Sequence, residues 1–196
     1  MTSVRAFLAI PLTTEVIDEA GRLQQTLSRR LPDIRWVKPA SMHLTLKFFA
    51  AIPEETLEKI GQIMLSVGGL LPPFPISISG LGTFPAPSRA RVFWLGVQGG
   101  SSLNRIHGIF DEKLEQIGIP REGRPFTPHL TLGRRRQGIS IPLAVLQQYQ
   151  TIECGRFQAD RVILYQSRLK PAGAVHIPIR TVFLTGPVPE RGQLGN

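Results

Sequence analysis

The stretches Met42-His-Leu-Thr-Leu46 and Pro128-His-Leu-Thr-Leu132 carry the same tetrad, His-Leu-Thr-Leu. The chain has only four histidines, so two of them in identical tetrads indicate an internal duplication or two matched sites. Alternate side chains of a strand point to the same face. Each tetrad therefore predicts a strand whose histidine and threonine share a polar face, while its two leucines face a core.

The pattern of apolar residues predicts strands and helices along the rest of the chain. Strands are expected at residues 4–10, 34–37, 42–50, 76–81, 91–97, 126–134, 160–168 and 175–184. Helices are expected to begin at Thr13 or Thr14, at Pro53, at Ser101 or Ser102, and near residue 142. In the first tetrad strand, simple alternation puts Lys47 beside His43 and Thr45, and puts Phe48 on the face of the leucines.

The order strand–helix–strand–strand–helix occurs in each half of the chain. It predicts an α+β fold with two pseudo-symmetric lobes, each an antiparallel sheet backed by helices, and an active site in the central cleft. We expect residues 1–186 to form a single bilobal domain. Residues 187–196 are rich in glycine and proline and are expected to form a flexible C-terminal tail.

Composition restricts the class of protein and of partner. Lys and Arg outnumber Asp and Glu by 23 to 14, and the net charge of +9 favours a polyanion, either nucleic acid or a membrane surface. No apolar run reaches the roughly 18 residues of a membrane span, and the N-terminus lacks a signal-peptide pattern. We therefore expect a cytoplasmic protein without a membrane partner. We also expect a monomer. The single cysteine, Cys154, rules out a thiol-rich metal site and is interpreted as a small buried residue.

The pair His43 and His129 has the properties that displacement at phosphorus requires. One group must take a proton from the attacking oxygen, and another must give a proton to the leaving oxygen. Imidazole titrates near neutral pH, so one neutral and one protonated histidine can divide these tasks. Thr45 and Thr131 share the faces of the histidines and can donate hydrogen bonds to phosphate oxygens. Arg134, at the end of the second strand, is a candidate for stabilising the transition state.

Other polar residues are weaker candidates. Lys47 is a candidate because alternation puts it on the face of the first tetrad, whereas Arg135 and Arg136 are typical of a solvated surface. His107 falls on a helix away from the apolar stripe and is expected at the surface, and His176, in the last strand, is a candidate for lining the cleft. No HExxH motif and no carboxylate cluster lies beside either tetrad, so neither a metal nor another cofactor is expected.

At the tetrads the sequence resembles the 2H phosphoesterase superfamily, which has two His-x-Thr-x motifs. Within it, the chain is similar to the RNA 2′,3′-cyclic phosphodiesterases, also called 2′-5′ RNA ligases. The resembling segments are Arg5–Ile10, Arg35–Val37, His43–Phe48, Arg91–Val97, Phe126–Arg134 and Leu164–Leu169. The chain departs from the family pattern at Phe49-Ala50, where Leu-Gly is usual, and at His176, where a tyrosine is expected and where base or ribose contacts would change.

The resemblance implies metal-independent hydrolysis of an RNA terminal 2′,3′-cyclic phosphate to a 2′-phosphate. It implies that His43 protonates the 3′ leaving oxygen and that His129 activates water. Thr45 and Thr131 would hold the phosphate, assisted by Arg134. The reverse reaction would join a cyclic end to a 5′-hydroxyl and give a 2′-5′ linkage without ATP.

Three other functions fit the same residues. The protein could be a 2H phosphoesterase for 2′-5′ oligonucleotides or small cyclic nucleotides, a non-catalytic RNA-binding module, or a metal enzyme. Phosphate handling is common to the phosphoesterases, so the tetrads leave their substrates open. The net charge favours RNA ends or oligonucleotides as the partner, and two intact tetrads favour an enzyme over a binding module.

Overall fold

Nine strands and four helices form the described part of the chain, which comprises residues 2–31, 33–170 and 173–188 of a computed structural model. The strands are β1 (Ser3–Ile10), β2 (Arg35–Trp36), β3 (Leu44–Pro53), β4 (Phe74–Phe84), β5 (Ala90–Gln98), β6 (His129–Ile139), β7 (Glu153–Ala159), β8 (Arg161–Lys170) and β9 (Gly173–Phe183). The helices are α1 (Thr14–Ser28), α2 (Thr56–Gly68), α3 (Gly100–Glu115) and α4 (Leu143–Gln148).

The strands form two antiparallel sheets, which confirms the predicted α+β fold. The first, here called the β3 sheet, has the order β3-β1-β8-β9, and the second, the β6 sheet, has the order β2-β6-β5-β4-β7. Each sheet contains one tetrad strand. The sheets do not correspond to the two halves of the chain, because the β3 sheet combines two strands from the start of the chain with two from its end. The duplicated lobes are therefore interleaved in sequence.

Helices cover both sheets through the apolar stripes that the sequence predicts. Helices α2 and α3 pack against strands of the β3 sheet, and α1 packs against β7 of the β6 sheet. The stripe of α1 is fully buried and comprises Val16, Ala20, Leu23 and Leu27. The stripe of α3 is also buried and comprises Leu103, Ile106, Phe110 and Leu114. These stripes belong to the hydrophobic core that backs the two sheets.

Two helices begin elsewhere than predicted. Pro53 does not open α2 but ends β3, where it pairs with Ser3, because a proline is tolerated at the end of a strand. Helix α3 begins at Gly100 and not at Ser101 or Ser102, and Gly99 is the residue before the helix. Gly100 has a positive φ of 57°, a conformation that glycine adopts more readily than serine.

Each tetrad strand has a β-bulge at the second leucine of its tetrad. Leu8 pairs with Lys47 and Ala9 with Thr45, so Leu46 has no opposite residue on β1. In the same way, β5 skips Leu132, because consecutive residues of β5 pair with Gly133 and Thr131. A bulge inserts one residue and reverses the alternation of the residues beyond it. The two lobes thus share a β-bulge at the same position as well as the His-Leu-Thr-Leu tetrad.

The bulge at Leu46 overturns the predicted faces of the next two residues. Lys47 is 4% exposed and lies on the buried side of β3, whereas Phe48 is 41% exposed and lies on the cleft side. The prediction that Lys47 shares the face of His43 and Thr45 was therefore wrong. The bulge depends on pairing with β1, and alternation within β3 alone does not reveal it.

The ends of the chain are only partly described. Residues 187 and 188 have no helix or strand, and residues 189–196 lie outside the described residues, so the flexible tail stays a prediction. In the described ranges, none of the helices combines the length and apolar character needed to cross a bilayer. Cys154 is buried in β7, as predicted, and burial raises the pKa of its thiol to about 11.

Candidate active site

A cleft of about 580 Å³ is lined by residues of both sheets. It brings together four of the five predicted site residues, namely His43, Thr45, Thr131 and Arg134. The fifth, His129, does not line this cavity but is the first residue of β6, two positions before Thr131. His129 therefore belongs to the same strand as Thr131 and Arg134, which do line the cleft.

Both tetrad histidines are held by the same hydrogen bond. Nδ1 of His43 lies 2.8 Å from the carbonyl oxygen of Ser41, and Nδ1 of His129 lies 2.8 Å from that of Thr127. A carbonyl oxygen can only accept a hydrogen bond, so Nδ1 must carry the proton. In each neutral imidazole the lone pair is therefore on Nε2. This atom is the one that can exchange a proton with a substrate.

His43 is enclosed by other rings of the β3 sheet. It stacks on Phe7 with ring centroids 4.4 Å apart, and His176 lies nearly perpendicular to it at 5.2 Å. Burial lowers the pKa of His43 to about 4; the bond to Ser41 opposes this shift, and His176 and Arg134 add to it. His43 is consequently neutral at neutral pH in the free protein.

His129 is less enclosed. Its ring meets Phe84 edge to face at 5.1 Å and lies 6.3 Å from Trp94. Burial lowers its pKa, opposed by the bond to Thr127 and reinforced by the charge of Arg134. Both histidines therefore favour the neutral form when no anion is bound.

The bulges decide which residues beyond the threonines face the cleft. Strict alternation would put Arg134, three residues after Thr131, on the opposite face of β6. The bulge at Leu132 shifts it back, and Nη2 of Arg134 donates to Oγ1 of Thr131 at 3.4 Å. Phe48 occupies the equivalent position of the first lobe, three residues after Thr45. Arg134 and Phe48 thus line the cleft from equivalent positions of the two tetrad strands.

The cleft also contains cationic residues that the sequence did not identify as site residues. Arg5, Arg35 and Lys38 line it together with Arg134, and none of its described lining residues is acidic. The guanidinium of Arg5 lies 5.3 Å from the ring centroid of Phe48. Arg35 is opposite Arg134 in the antiparallel register of β2 and β6. Neighbouring cations without a counter-charge are stabilised by a bound anion, so this cleft is suited to phosphates.

The pattern of the LigT-like phosphoesterases matches the chain twice, at residues 10–94 and at residues 95–176. The chain belongs to this family. Each match contains one tetrad, which agrees with an internal duplication and confirms the resemblance seen in the sequence. An RNA 2′,3′-cyclic phosphodiesterase of Methanothermobacter thermautotrophicus is 34% identical over 175 residues, which cover 88% of this chain and 95% of the relative. An RNA 2′,3′-cyclic phosphodiesterase of Methanocaldococcus jannaschii is 31% identical over a match that covers 90% of this chain and 99% of the relative.

Solved structures show the LigT-like fold. The crystal structure of a Thermus thermophilus protein superposes with a TM-score of 0.80 at 27% identity, covering 93% of this chain and 98% of that one. Escherichia coli LigT, crystallised with 3′-AMP, superposes with a TM-score of 0.77 at 23% identity and covers 94% and 99%. At 23% identity, the similarity to Escherichia coli LigT shows a shared fold and nothing more.

Of three weaker sequence candidates in this LigT-like chain, one lines the cleft and two do not. His176 does line the cleft, next to His43. Lys47 does not reach the cleft and instead forms an ion pair with Asp111. His107 stacks on Phe126 with ring centroids 3.9 Å apart, so it is not a free surface residue. Alternation and helical periodicity could not find these contacts, because each joins segments far apart in sequence.

A buried glutamine supports the second tetrad of the LigT-like fold. Nε2 of Gln24, on α1, donates to the carbonyl oxygens of Val37 and Leu132 at 2.9 and 2.8 Å. It thereby fixes β2 beside β6.

Within the described ranges, no three His, Cys, Asp or Glu side chains converge as the ligands of a metal ion would.

Proposed function

We propose that this protein hydrolyses the 2′,3′-cyclic phosphate at RNA ends to a 2′-phosphate without a metal ion. The observation that carries the proposal is the matched pair of imidazoles, each with Nδ1 bound to a carbonyl and Nε2 left for proton exchange. The relatives named RNA 2′,3′-cyclic phosphodiesterase support the choice of substrate.

The reaction needs only proton transfer and charge stabilisation from the chain. Water adds to phosphorus and loses a proton to one imidazole, while the bond to the 3′ oxygen breaks and that oxygen gains a proton from the other. By the family resemblance, His129 accepts the proton and His43 donates it. Thr45 and Thr131 donate hydrogen bonds to the non-bridging oxygens, and Arg134 offsets their negative charge.

The acid role of His43 requires a change of its pKa on binding. In the free protein its pKa is about 4, because the ring is buried. A phosphate anion in the cleft favours the protonated imidazole, since an opposite charge nearby raises the pKa of a histidine. Substrate binding therefore favours uptake of a proton from solvent by His43, which can then pass it to the leaving oxygen.

The surplus of cations in the cleft favours an RNA end over a mononucleotide. One cyclic phosphate needs one cation, and Arg134 lies beside the threonines. Arg5, Arg35 and Lys38 remain for the phosphates of preceding nucleotides.

We further propose that the protein is a cytoplasmic monomer and that the reverse reaction joins RNA ends through 2′-5′ linkages.

The first prediction tests the two histidines. A short RNA with a 2′,3′-cyclic phosphate is incubated with the protein in EDTA, and the product end is identified. We expect a 2′-phosphate from the unmodified protein and a loss of at least about a thousandfold in kcat for His43→Ala and for His129→Ala, because each removes a proton-transfer group. Arg136→Ala, an exposed change outside the cleft, is the control.

The outcomes separate the competing functions. A 3′-phosphate product would retain the chemistry and reverse the orientation of the substrate. Inhibition by EDTA would contradict the metal-independent mechanism. RNA binding without turnover, unchanged in both histidine variants, would favour a binding module, and turnover of 2′-5′ oligonucleotides or small cyclic nucleotides alone would change the substrate.

A further inference from the structure

Lys47 is a buried cation directly after the first tetrad. The bulge at Leu46 turns its side chain away from the cleft, and the residue is only 4% exposed. A buried ammonium group destabilises the fold unless it is paired and hydrogen-bonded. An apolar residue would fill this position of β3 without that cost, so the contacts that Lys47 makes require an explanation.

Those contacts connect the first tetrad strand to the segment that leads to the second. Nζ of Lys47 forms an ion pair with Oδ1 of Asp111, on α3, and donates to the carbonyl oxygen of Pro120 at 2.9 Å. The other oxygen of Asp111 accepts the backbone N–H of Glu122 at 3.1 Å. We call this set, Lys47, Asp111 and the backbone of residues 120–122, the clasp.

The clasp holds the connection between α3 and β6, residues 116–128. One turn before Asp111 on α3, His107 stacks on Phe126 with an interplanar angle of 10°. Phe126 is followed by Thr127, whose carbonyl oxygen binds Nδ1 of His129. The connection is therefore held at residues 120–122 and again at Phe126, which directly precedes the residue whose carbonyl orients the second histidine.

The ionic state of the clasp agrees with its geometry. Burial raises the pKa of Asp111, but the bonds from Lys47 and from the Glu122 N–H outweigh it, and the pKa lies below its ordinary value. Asp111 is thus a carboxylate, and both of its oxygens are used. The hydrogen bonds of Lys47 and Asp111 are directional, so they specify one arrangement of β3 and residues 120–122. Apolar packing would specify this arrangement less well.

We propose that Lys47 and Asp111 are positioning residues, which set the place of His129 relative to His43 by tying β3 to the connection that enters β6. Neither side chain touches the substrate. The inference rests on the proposed function only insofar as both histidines act on one phosphate. It gives the residue after the first tetrad a role in the geometry of the second.

The test combines kinetics with the tautomer of His129. Asp111→Asn and the double variant Lys47→Met/Asp111→Leu are compared with Glu115→Gln. The control breaks an exposed ion pair between the same helix and the same connection, that of Glu115 with Arg121. We expect both clasp variants to lose about a hundredfold in kcat on cyclic-ended RNA with little change in KM, because small displacements of a catalytic group have effects of this size.

Nitrogen NMR of the histidine side chains gives a readout that does not need turnover. In the clasp variants, the Nδ1-protonated form of His129 should lose its predominance, while that of His43 is unchanged. If the unmodified protein fails to hydrolyse RNA, the proposed function fails and the NMR result still tests the clasp. Unchanged kcat and an unchanged His129 tautomer in folded variants would overturn the inference, as would full activity of the double variant.

Discussion

His43 and His129 make the same backbone hydrogen bond in different surroundings. Burial lowers the pKa of both, and that of His43 falls to about 4. The second prediction is a bell-shaped dependence of kcat/KM on pH, with an acidic limb near pH 4 and an alkaline limb below the ordinary histidine value of 6.5. The limbs belong to the pair, so the profile holds whichever histidine is the acid. An alkaline limb above 6.5 would contradict the burial of His129.

The burial of His43 also links folding to pH, which gives a third prediction. His43 titrates near 6.5 in the unfolded chain and near 4 in the folded one. Between these values the unfolded chain binds more protons, so the free energy of unfolding falls as pH falls, by at most about 3 kcal/mol. Denaturant unfolding near pH 7 and near pH 4 should show a smaller loss for His43→Gln. An equal loss in both proteins would show that other groups cause the acid dependence.

The β-bulges at Leu46 and Leu132 mark how far the tetrad strands could be predicted. Alternation correctly places Thr45 and Thr131 in the cleft, because both precede the bulge. It fails at Lys47, the first residue beyond. A bulge forms where two strands pair with different residue counts, and the partners β1 and β5 are remote in sequence from the tetrads they meet. The sequence predicts the two candidate histidines and Arg134, but not that a bulge turns Phe48 into the cleft and Lys47 out of it.

The contact between β2 and β6 leads to a fourth prediction. A Cβ on Gly133 would lie 2.6 Å from Cγ2 of Ile34 and 2.9 Å from Cε3 of Trp36. Gly133→Ala should therefore push β2 from β6, displace Arg35 and Trp36 in the cleft, lower stability by about 1–3 kcal/mol and weaken RNA binding.

The control for this change is Gly21→Ala in α1, where a Cβ would have no neighbour within 4 Å. That variant should be as stable as the unmodified protein or slightly more stable, because alanine is the better helix former. Chemical denaturation and RNA titration of both variants provide the measurements. Equal effects at Gly133 and Gly21 would show that β2 tolerates the displacement.

The arrangement of the whole molecule was predictable only in outline. The duplicated tetrads predict two similar sheets around a cleft, and the structure has them. Local patterns do not say which strands pair, so the sequence could not show that β8 and β9 complete the sheet begun by β1 and β3. It could not show either that Arg5 and Arg35 would line the same cleft as Arg134, since each comes from a different strand.

The fifth prediction concerns the charge of the entire cleft. Each cation that contacts an RNA phosphate releases counterions, so log affinity falls with log salt concentration by about 0.7 per contact for a single strand. Changing Arg35 and Lys38 together to Gln should reduce this slope by about one to two. Fluorescence anisotropy of cyclic-ended RNA with the inactive His129→Ala protein measures it, and Arg136→Gln serves as the control. An unchanged slope would remove both residues from the RNA path.

Phe48 and Arg134 occupy matching positions in the two lobes but differ in chemistry. A symmetric cleft would accept a substrate in either of two orientations. Here the bulge of one lobe presents an aromatic ring and that of the other presents a cation. A nucleotide has a flat base at one end and a charged phosphate at the other, so a cleft with this asymmetry can distinguish the two ends. A cleft between two similar lobes thereby has a direction.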